Sequence, residues 1–310
     1  MIVAGSGKLR IDIGICTYRR PELEVTLRSL FALDVPEHTQ VRLIVADNDA
    51  EPSAQALVER LKAVSPFEIE YVHCPKSNIS IARNACLAAC QADYLAFIDD
   101  DETAGPGWLA ALVDRAEATS ADAILGPVRA IYPDDVPAWM RSGDFHSTNP
   151  VWVNGRIVTG YTCNVLLDMR SPKLAARKFA LSLGQSGGED THYFTQLTDA
   201  GGQIEFARDA LLEEPVPQKR ASFSWLAKRR FRSGQTHGRI VAAKSAGLSR
   251  IKKAAIAAVK FGYCAVVTVG AVAVPVTRTR YALRAALHAG SVMGTLGMRE
   301  IRQYGMVEAT

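Results

Sequence analysis

Between residues 11 and 128 the chain repeats one local pattern: a short apolar run rich in β-branched residues, a polar loop, then an amphipathic stretch. Few folds accept that repetition. Ile11-Asp12-Ile13-Gly14-Ile15-Cys16 reads as a first strand and Thr17-Tyr18-Arg19-Arg20 as the loop that leaves it. Pro21 suits the first turn of a helix, where its missing N–H is not needed, and Leu23, Leu27, Leu30 and Phe31 follow along one face. The pattern then returns. A strand over 41–46 ends at Asp47-Asn48-Asp49 before a helix over 53–64. A strand over 69–72 leads through Asn78-Ile79-Ser80 to a helix over 81–92, and a strand over 94–98 precedes a helix over 108–118. Residues 123–128 read as a fifth strand. Alternation at this spacing predicts an α/β fold, a doubly wound and mostly parallel sheet with helices on both faces. Ligands of such sheets bind outside the carboxyl ends of the strands, so loops 17–20, 47–49 and 99–102 are predicted to converge on one crevice.

The third of these loops is the most unusual. Phe97-Ile98-Asp99-Asp100-Asp101-Glu102 sets four acidic side chains directly after an apolar strand. Like charges this close repel, and fixing them at a strand end gains nothing structural unless a cation binds there. Mg²⁺ or Mn²⁺ takes oxygen ligands, is commonly held by one or two carboxylates, and leaves its other positions to phosphate oxygens and water. Taken alone, the run fits a solvated turn that caps the next helix equally well. The two other polar loops at the same edge favour the metal site.

Past residue 130 the pattern loosens. Pro133, Pro137 and Pro150, with the aromatics Trp139, Phe145 and Trp152, mark a loop region of the kind that shapes a substrate pocket, or whose aromatics pack beneath it. Residues 158–167 read as a strand near the site. A glycine-containing hinge over 184–188 leads to Glu189-Asp190 and a helix over 191–197, which Gly201-Gly202 stops. Asp190 at that position also fits a helix N-cap.

Composition adds three constraints. Apolar residues make up 48% and charged residues 22% of the 310, the balance of a globular chain rather than a disordered one. The first ten residues, MIVAGSGKLR, contain no apolar segment of secretory length. Six cysteines with no CxxC spacing, including Cys86 and Cys90 one turn apart, predict reduced thiols rather than disulfides or zinc. The six histidines show no HxH or HxxxH ligand spacing.

The net charge of +4 conceals an asymmetry. Residues 1–214 hold 19 basic and 30 acidic side chains, net −11, whereas residues 215–310 hold 17 basic and 2 acidic, net +15. Such a half points to an anionic partner. Residues 261–277 are uncharged and apolar, with Lys252, Lys253 and Lys260 before them and Arg278, Arg280 and Arg284 after. Interrupted by Gly262, Gly270 and Pro275, this stretch is short for a crossing of about 30 Å. An interfacial or re-entrant helix on an anionic membrane surface is therefore favoured over a crossing or a soluble core helix, each flanking basic residue adding on the order of 1 kcal/mol. Basic blocks alternating with apolar runs suit a bilayer better than a phosphate groove, so nucleic acid is not an expected partner.

Read together, the motifs resemble those of a known family. Ile13-Gly14-Ile15-Cys16-Thr17-Tyr18-Arg19-Arg20-Pro21, Val45-Ala46-Asp47-Asn48-Asp49, Asn78-Ile79-Ser80-Ile81-Ala82-Arg83-Asn84, Phe97-Ile98-Asp99-Asp100-Asp101-Glu102 and Gly188-Glu189-Asp190 stand in the order seen in family-2 inverting glycosyltransferases of the GT-A fold. Within the family the chain looks most similar to bacterial exopolysaccharide enzymes of the succinoglycan β-1,4-glucosyltransferase type. The resemblance implies that Thr17, Tyr18 and Arg19 line a nucleotide pocket and that Asp47 accepts from a uracil ring. Asn48 stands where a second carboxylate is common, so Asp49 shares or replaces that role. Arg83 is implied at the base or diphosphate, Asp99 near the ribose and metal with Asp100 beside it, Asp101 on the metal, and Asp190, adjacent to Glu189, as catalytic base.

These implications define an expected protein. Residues 1–220 would form a GT-A domain, with a nucleotide-binding half over about 10–130 and an acceptor half over about 131–220. Residues 221–310 would form a basic, apolar, helical, membrane-associating extension. The reaction would be inverting transfer of a hexose, from a UDP-sugar such as UDP-glucose, to a polyprenyl-diphosphate-linked oligosaccharide, assisted by Mg²⁺ or Mn²⁺ at the cytoplasmic face of the inner membrane. Processive relatives carry a QxxRW signature, and only Lys228-Arg229-Arg230-Phe231-Arg232 stands in its place, which implies addition of one sugar. Two rivals remain at this point. A nucleotidyltransferase would carry a glycine-rich loop after the first strand, and loop 17–20 has no glycine. A membrane-bound scaffold with an inactive sugar-nucleotide site would release no nucleotide.

Overall fold

The computed structural model of the chain describes residues 8–298; residues 1–7, within the segment read as lacking a leader, and residues 299–310 lie outside it. Strand β1 (Leu9–Thr17), helix α1 (Leu23–Phe31), β2 (Thr39–Asp47), α2 (Gln55–Lys62), β3 (Glu68–His73), α3 (Ile79–Ala89) and β4 (Tyr94–Asp99) follow the predicted order. After the acidic loop come β5 (Thr103–Ala104), α4 (Trp108–Thr119), β6 (Ala123–Leu125), β7 (Val128–Ile131) and α5 (Ala138–Gly143). The hairpin β8 (Trp152–Val153) and β9 (Arg156–Ile157) precedes β10 (Asn164–Asp168), α6 (Glu189–Asp199), β11 (Ile204–Phe206) and β12 (Leu212–Pro215). Three long helices follow: α7 (Phe223–Ala243), α8 (Gly247–Gly270) and α9 (Pro275–Thr295).

The main sheet runs β11-β6-β10-β4-β1-β2-β3. Strand β10 is antiparallel to β4 and β6, while the remaining neighbours pair in parallel. Both faces are covered, which explains why the strands read as near-continuous apolar runs. On one face Ile11, Ile13 and Ile15 pack with Leu23, Leu27 and Leu30 of α1 and Leu109 and Leu112 of α4. On the other, Ile44, Ala46 and Phe97 pack with Ala82 and Cys86 of α3 and Tyr193 and Phe194 of α6. Leu27 is fully buried, and its truncation to Ala would cost about 2–5 kcal/mol. Register levels the strand ends: Thr17 lies opposite Asp47, and Cys16 opposite Asp99.

Four expectations are corrected. The fifth strand divides at Gly126-Pro127 into β6 of the main sheet and β7 of a smaller sheet, ordered β5-β12-β7. Proline cannot donate to the ladder there, and a Cβ at Gly126 would collide with the Ala210 carbonyl oxygen. The strand expected over 158–167 begins only at Asn164. Helix α6 starts at Glu189 with Gly188 as its N-cap in left-handed backbone (φ 92°), so Asp190 lies inside the first turn and is not the cap. Residues 261–277 are not one helix: they end α8, turn, and begin α9.

The C-terminal helices join the body through a small cluster of Val136, Met140, Phe145, Leu226 and Leu283, and Trp139 packs there against Phe145 with ring centroids 6.0 Å apart. Trp152, on the β8–β9 hairpin, is exposed. Helices α7 and α9 approach backbone to backbone. A Cβ added at Gly234 would strike the Leu287 carbonyl oxygen, and one at Gly290 the carbonyl oxygen of Phe231. Gly238 and Gly294 are equally tight, so glycine is required along this seam for close approach.

Candidate active site

The loop after β2 is organised by Asp47. Its carboxylate is fully buried and accepts from the backbone N–H groups of Asp49 (3.0 Å) and Ala54 (2.8 Å) and from the Tyr71 hydroxyl (2.8 Å). Asn48 donates to the Cys74 carbonyl (2.6 Å), joining the loop to the segment that enters α3. Asp49 faces Arg19, whose Nε donates to it at 2.7 Å. That hydrogen bond holds the Asp49 carboxyl below the usual carboxylate range. Arg19 adopts left-handed backbone (φ 53°) and its guanidinium lies 5.5 Å from the centre of the exposed Tyr18 ring. A shallow cavity of about 220 Å³ opens beside them, lined by Arg19, Arg20, Pro21, Ser53, Ala54 and Leu57. Thr17, at the end of β1, is buried next to this loop.

The four acidic residues after β4 take different directions. Glu102 turns inward: its carboxylate accepts from the Asp99 N–H (2.9 Å), and its carbonyl accepts from the Thr26 hydroxyl (2.7 Å). Burial pushes its pKa well up, with Asp99 adding to the effect. Burial likewise raises Asp99 to about 6, against the pull of Arg83, and Asp100 to about 7, with Asp101 reinforcing the shift. Asp101 is approached by two guanidinia, Nη2 of Arg20 at 3.4 Å and Nη2 of Arg220 at 3.6 Å from Oδ2. Arg20 also lies 3.8 Å from Asp100, and Arg220 donates to Glu214 at 2.7 Å.

Across the same edge, Arg83 of α3 is buried and ion-paired with Glu189. Burial opposes its charge, but Glu189, Asp190 and Asp99 together hold the guanidinium protonated. Glu189 is itself pushed up by burial and drawn down by Arg83, and its second carboxylate oxygen has no hydrogen-bond partner. Asp190, in contrast, is partly exposed, and its Oδ1 accepts from the Thr191 N–H at 2.6 Å. Thr236 of α7 packs so closely against Gly188 that a Cβ there would collide with it.

The predicted residues thus form two groups on one edge. Thr17, Tyr18, Arg19, Asp47 and Asp49 surround the β1–β2 crevice, while Asp99, Asp100 and Asp101 lie between Arg83 with Glu189-Asp190 on one side and Arg20 with Arg220 on the other. Sequence reasoning placed Arg20 in the loop without a role and passed over Arg220, Glu214 and Trp225, whose ring lies 5.8 Å from the Arg220 guanidinium. The Arg19-Arg20 doublet in a net acidic half was the available signal for the first. No pattern marked Arg220.

Among the described residues, no three carboxylate, imidazole or thiolate groups are gathered to hold a metal alone. The donor set at Asp99 and Asp101 fits a hard cation shared with a phosphorylated ligand, which takes one or two protein oxygens and completes its shell elsewhere. The raised Asp99 carboxyl is the expected state of a buried acidic group crowded by neighbouring carboxylates.

Comparison with known proteins identifies the family. Residues 12–173 match the profile of glycosyl transferase family 2. The chain is 59% identical over 302 residues, 97% of its length and 98% of the relative's, to the succinoglycan biosynthesis protein ExoM of Rhizobium meliloti (strain 1021). Among solved structures it is similar to the mannosyltransferase PcManGT from Pyrobaculum calidifontis in complex with GDP-Man and Mn2+, at 17% identity and a TM-score of 0.62, covering 93% of this chain and 88% of that one. It is also similar to S. aureus TarS, at 16% identity and a TM-score of 0.53, covering 80% of this chain and 42% of that longer one. The predicted fold is thereby shown to be GT-A-like, with a helical C-terminal region, and the chain belongs to glycosyl transferase family 2 and is a glycosyltransferase.

Proposed function

We propose that the chain transfers one hexose, glucose from UDP-glucose, with inversion to a polyprenyl-diphosphate-linked oligosaccharide in succinoglycan-type exopolysaccharide biosynthesis. The observation that carries this reading is one shared cation: buried Arg83 interacts with Asp99 on the donor side and with Glu189 and Asp190 on the other. The near-full-length relative supports the pathway class.

In this reading the base and ribose enter the β1–β2 crevice. Asp47, with three internal donors, builds the loop that presents Asp49 and Arg19, while Thr17 and Tyr18 wall the crevice. Asp99 and Asp100 lie beside the ribose and diphosphate, and Asp101, with Asp99, would hold Mg²⁺ or Mn²⁺. When bound, that ion supplies positive charge to the departing diphosphate. Arg20 and Arg220 turn from Asp101 to the diphosphate oxygens. Asp190 takes the proton of the acceptor hydroxyl as its oxygen bonds to the anomeric carbon, and the bond from that carbon to the nucleoside diphosphate breaks. Glu189, locked to Arg83, orients the helix start that carries Asp190. The absence of QxxRW supports one addition per acceptor.

Residues 221–310 are read as the membrane-associating region, placing the enzyme at the cytoplasmic face of the inner membrane as a peripheral or monotopic protein. A donor screen scored by UDP release, with and without a lipid-linked acceptor, tests the assignment. Release confined to UDP-glucose plus acceptor and divalent metal is the expected result; acceptor-dependent release from another nucleotide sugar overturns the choice of donor.

A further inference from the structure

Helix α8 is built inside out. Its buried residues, Ala254, Ala257 and Cys264, are small and lie toward one side, while Leu248, Ile251, Val259, Val266 and Val269 are 61–81% exposed. At about 100° per residue, positions 248, 259 and 266 align on the side opposite the buried stripe. Only 17% of the helix's most apolar window is buried, which excludes its reading as a core helix of the soluble body. A continuous apolar face of this kind marks a surface that meets something else.

The charges around it select the partner. Arg250, Lys252, Lys253 and Lys260 lie on α8 itself, Arg278, Arg280 and Arg284 on α9, and no acidic residue occurs between Glu214 and Glu300. Two copies meeting through α8 would bring these cations together with no counter-charge from this region. An anionic lipid leaflet offers apolar chains to the stripe and phosphates to the basic flanks. The rings of Tyr263 and Tyr281 lie 6.1 Å apart, with the Arg284 guanidinium 5.3 Å from the latter, a pairing suited to the headgroup level.

A crossing is disfavoured by the same residues. About 20 residues ending at Gly270 would enclose Lys252, Lys253 and Lys260. The returning helix α9 is fixed to α7 by the glycine seam, and α7 to the body at Leu226 and Thr236.

We propose that the outward face of α8 lies flat in one anionic leaflet, sunk to the acyl boundary along its whole length. The inference rests on the reading of residues 221–310 as membrane-associating and specifies the surface and its orientation. It is tested on the full chain with vesicles of phosphatidylcholine and phosphatidylglycerol whose acyl chains are brominated either near the headgroup or near the chain end. Leu248→Trp, Val259→Trp and Val266→Trp report depth as difference spectra against the wild type, whose four tryptophans lie outside α8. Equal quenching of all three by the shallow bromines is expected. Deepest quenching at Val259→Trp with shallow ends means a crossing and overturns the proposal. So does a lack of quenching accompanied by a dimer in sedimentation, which assigns the face to a second copy. A Val259→Asp/Val266→Asp variant should lose vesicle retention by about tenfold or more with UDP release on detergent-solubilised acceptor unchanged. Retained vesicle binding by that variant also overturns the proposal, while normal UDP release by any of these proteins keeps the transferase assignment separate from the fate of α8.

Discussion

Arg220 and Asp101, from distant parts of the chain, meet at the carboxyl edge of the sheet with Nη2 3.6 Å from Oδ2. Arg20 reaches the same carboxylate at 3.4 Å. Each guanidinium also reaches a second carboxylate, Asp100 for Arg20 and Glu214 for Arg220. Arg220→Ala and Arg20→Ala are each expected to lower kcat/KM for the donor on the order of 10- to 100-fold, as loss of a charged hydrogen bond does. UDP-release kinetics check this, and an unchanged kcat/KM would assign the arginines to fold stability alone.

Asp101 and Asp190 should fail in different ways. Asp101→Ala is expected to abolish metal-dependent donor binding in calorimetry. Asp190→Asn is expected to keep donor affinity within about threefold while turnover falls by about 10²–10⁴, the usual loss of a general base. Tight donor binding by Asp101→Ala in chelator would count against the metal assignment.

The acidic loop gives a pH prediction with a definite sign. Folded Asp100 keeps its proton up to about 7, whereas the unfolded chain releases it near the ordinary carboxylate value. Between those two values the unfolded state binds fewer protons, so stability from this group falls as pH rises through the window. Asp100→Asn, which mimics the protonated form, should therefore raise the metal-free Tm at pH near 8 and have little effect at pH near 4. Equal shifts at both pH values in differential scanning fluorimetry would refute the linkage.

Arg83 and Glu189 form a buried pair that joins α3 to the start of α6. Removing one partner leaves a buried charge, so Arg83→Met is expected to cost about 3–5 kcal/mol in urea unfolding. Adding Glu189→Leu should recover much of that stability without restoring activity. Recovery of both would show that the pair has no part in positioning Asp190.

Much of this architecture was legible because strands buried on both faces must be apolar and must end abruptly. Ile11, Ile13 and Ile15 declared β1, and the abrupt charge at Asp99 declared the carboxyl edge of β4. The site groups around Asp49 and Asp101 followed from that edge. What escaped was set by contacts remote in sequence. The break at Gly126-Pro127 depends on the approach of Ala210, and the position of Arg220 depends on how β12 leads into α7. The apolar run over 261–277 was visible, but the bend within it and the outward stripe of α8 emerge only when α9 packs against α7.

The glycine seam between α7 and α9 has a mechanical consequence. With glycine at the points of closest approach, a shift of either helix by one residue would press a Cβ into a facing carbonyl, so the pair resists sliding and behaves as a stiff plate. Thr236 sets that plate against Gly188, one residue before the helix that carries Asp190. On the proposed reading, the height of the Asp190 carboxylate above the leaflet that receives α8 is therefore set by the fold, and the acceptor must be long enough to climb to it.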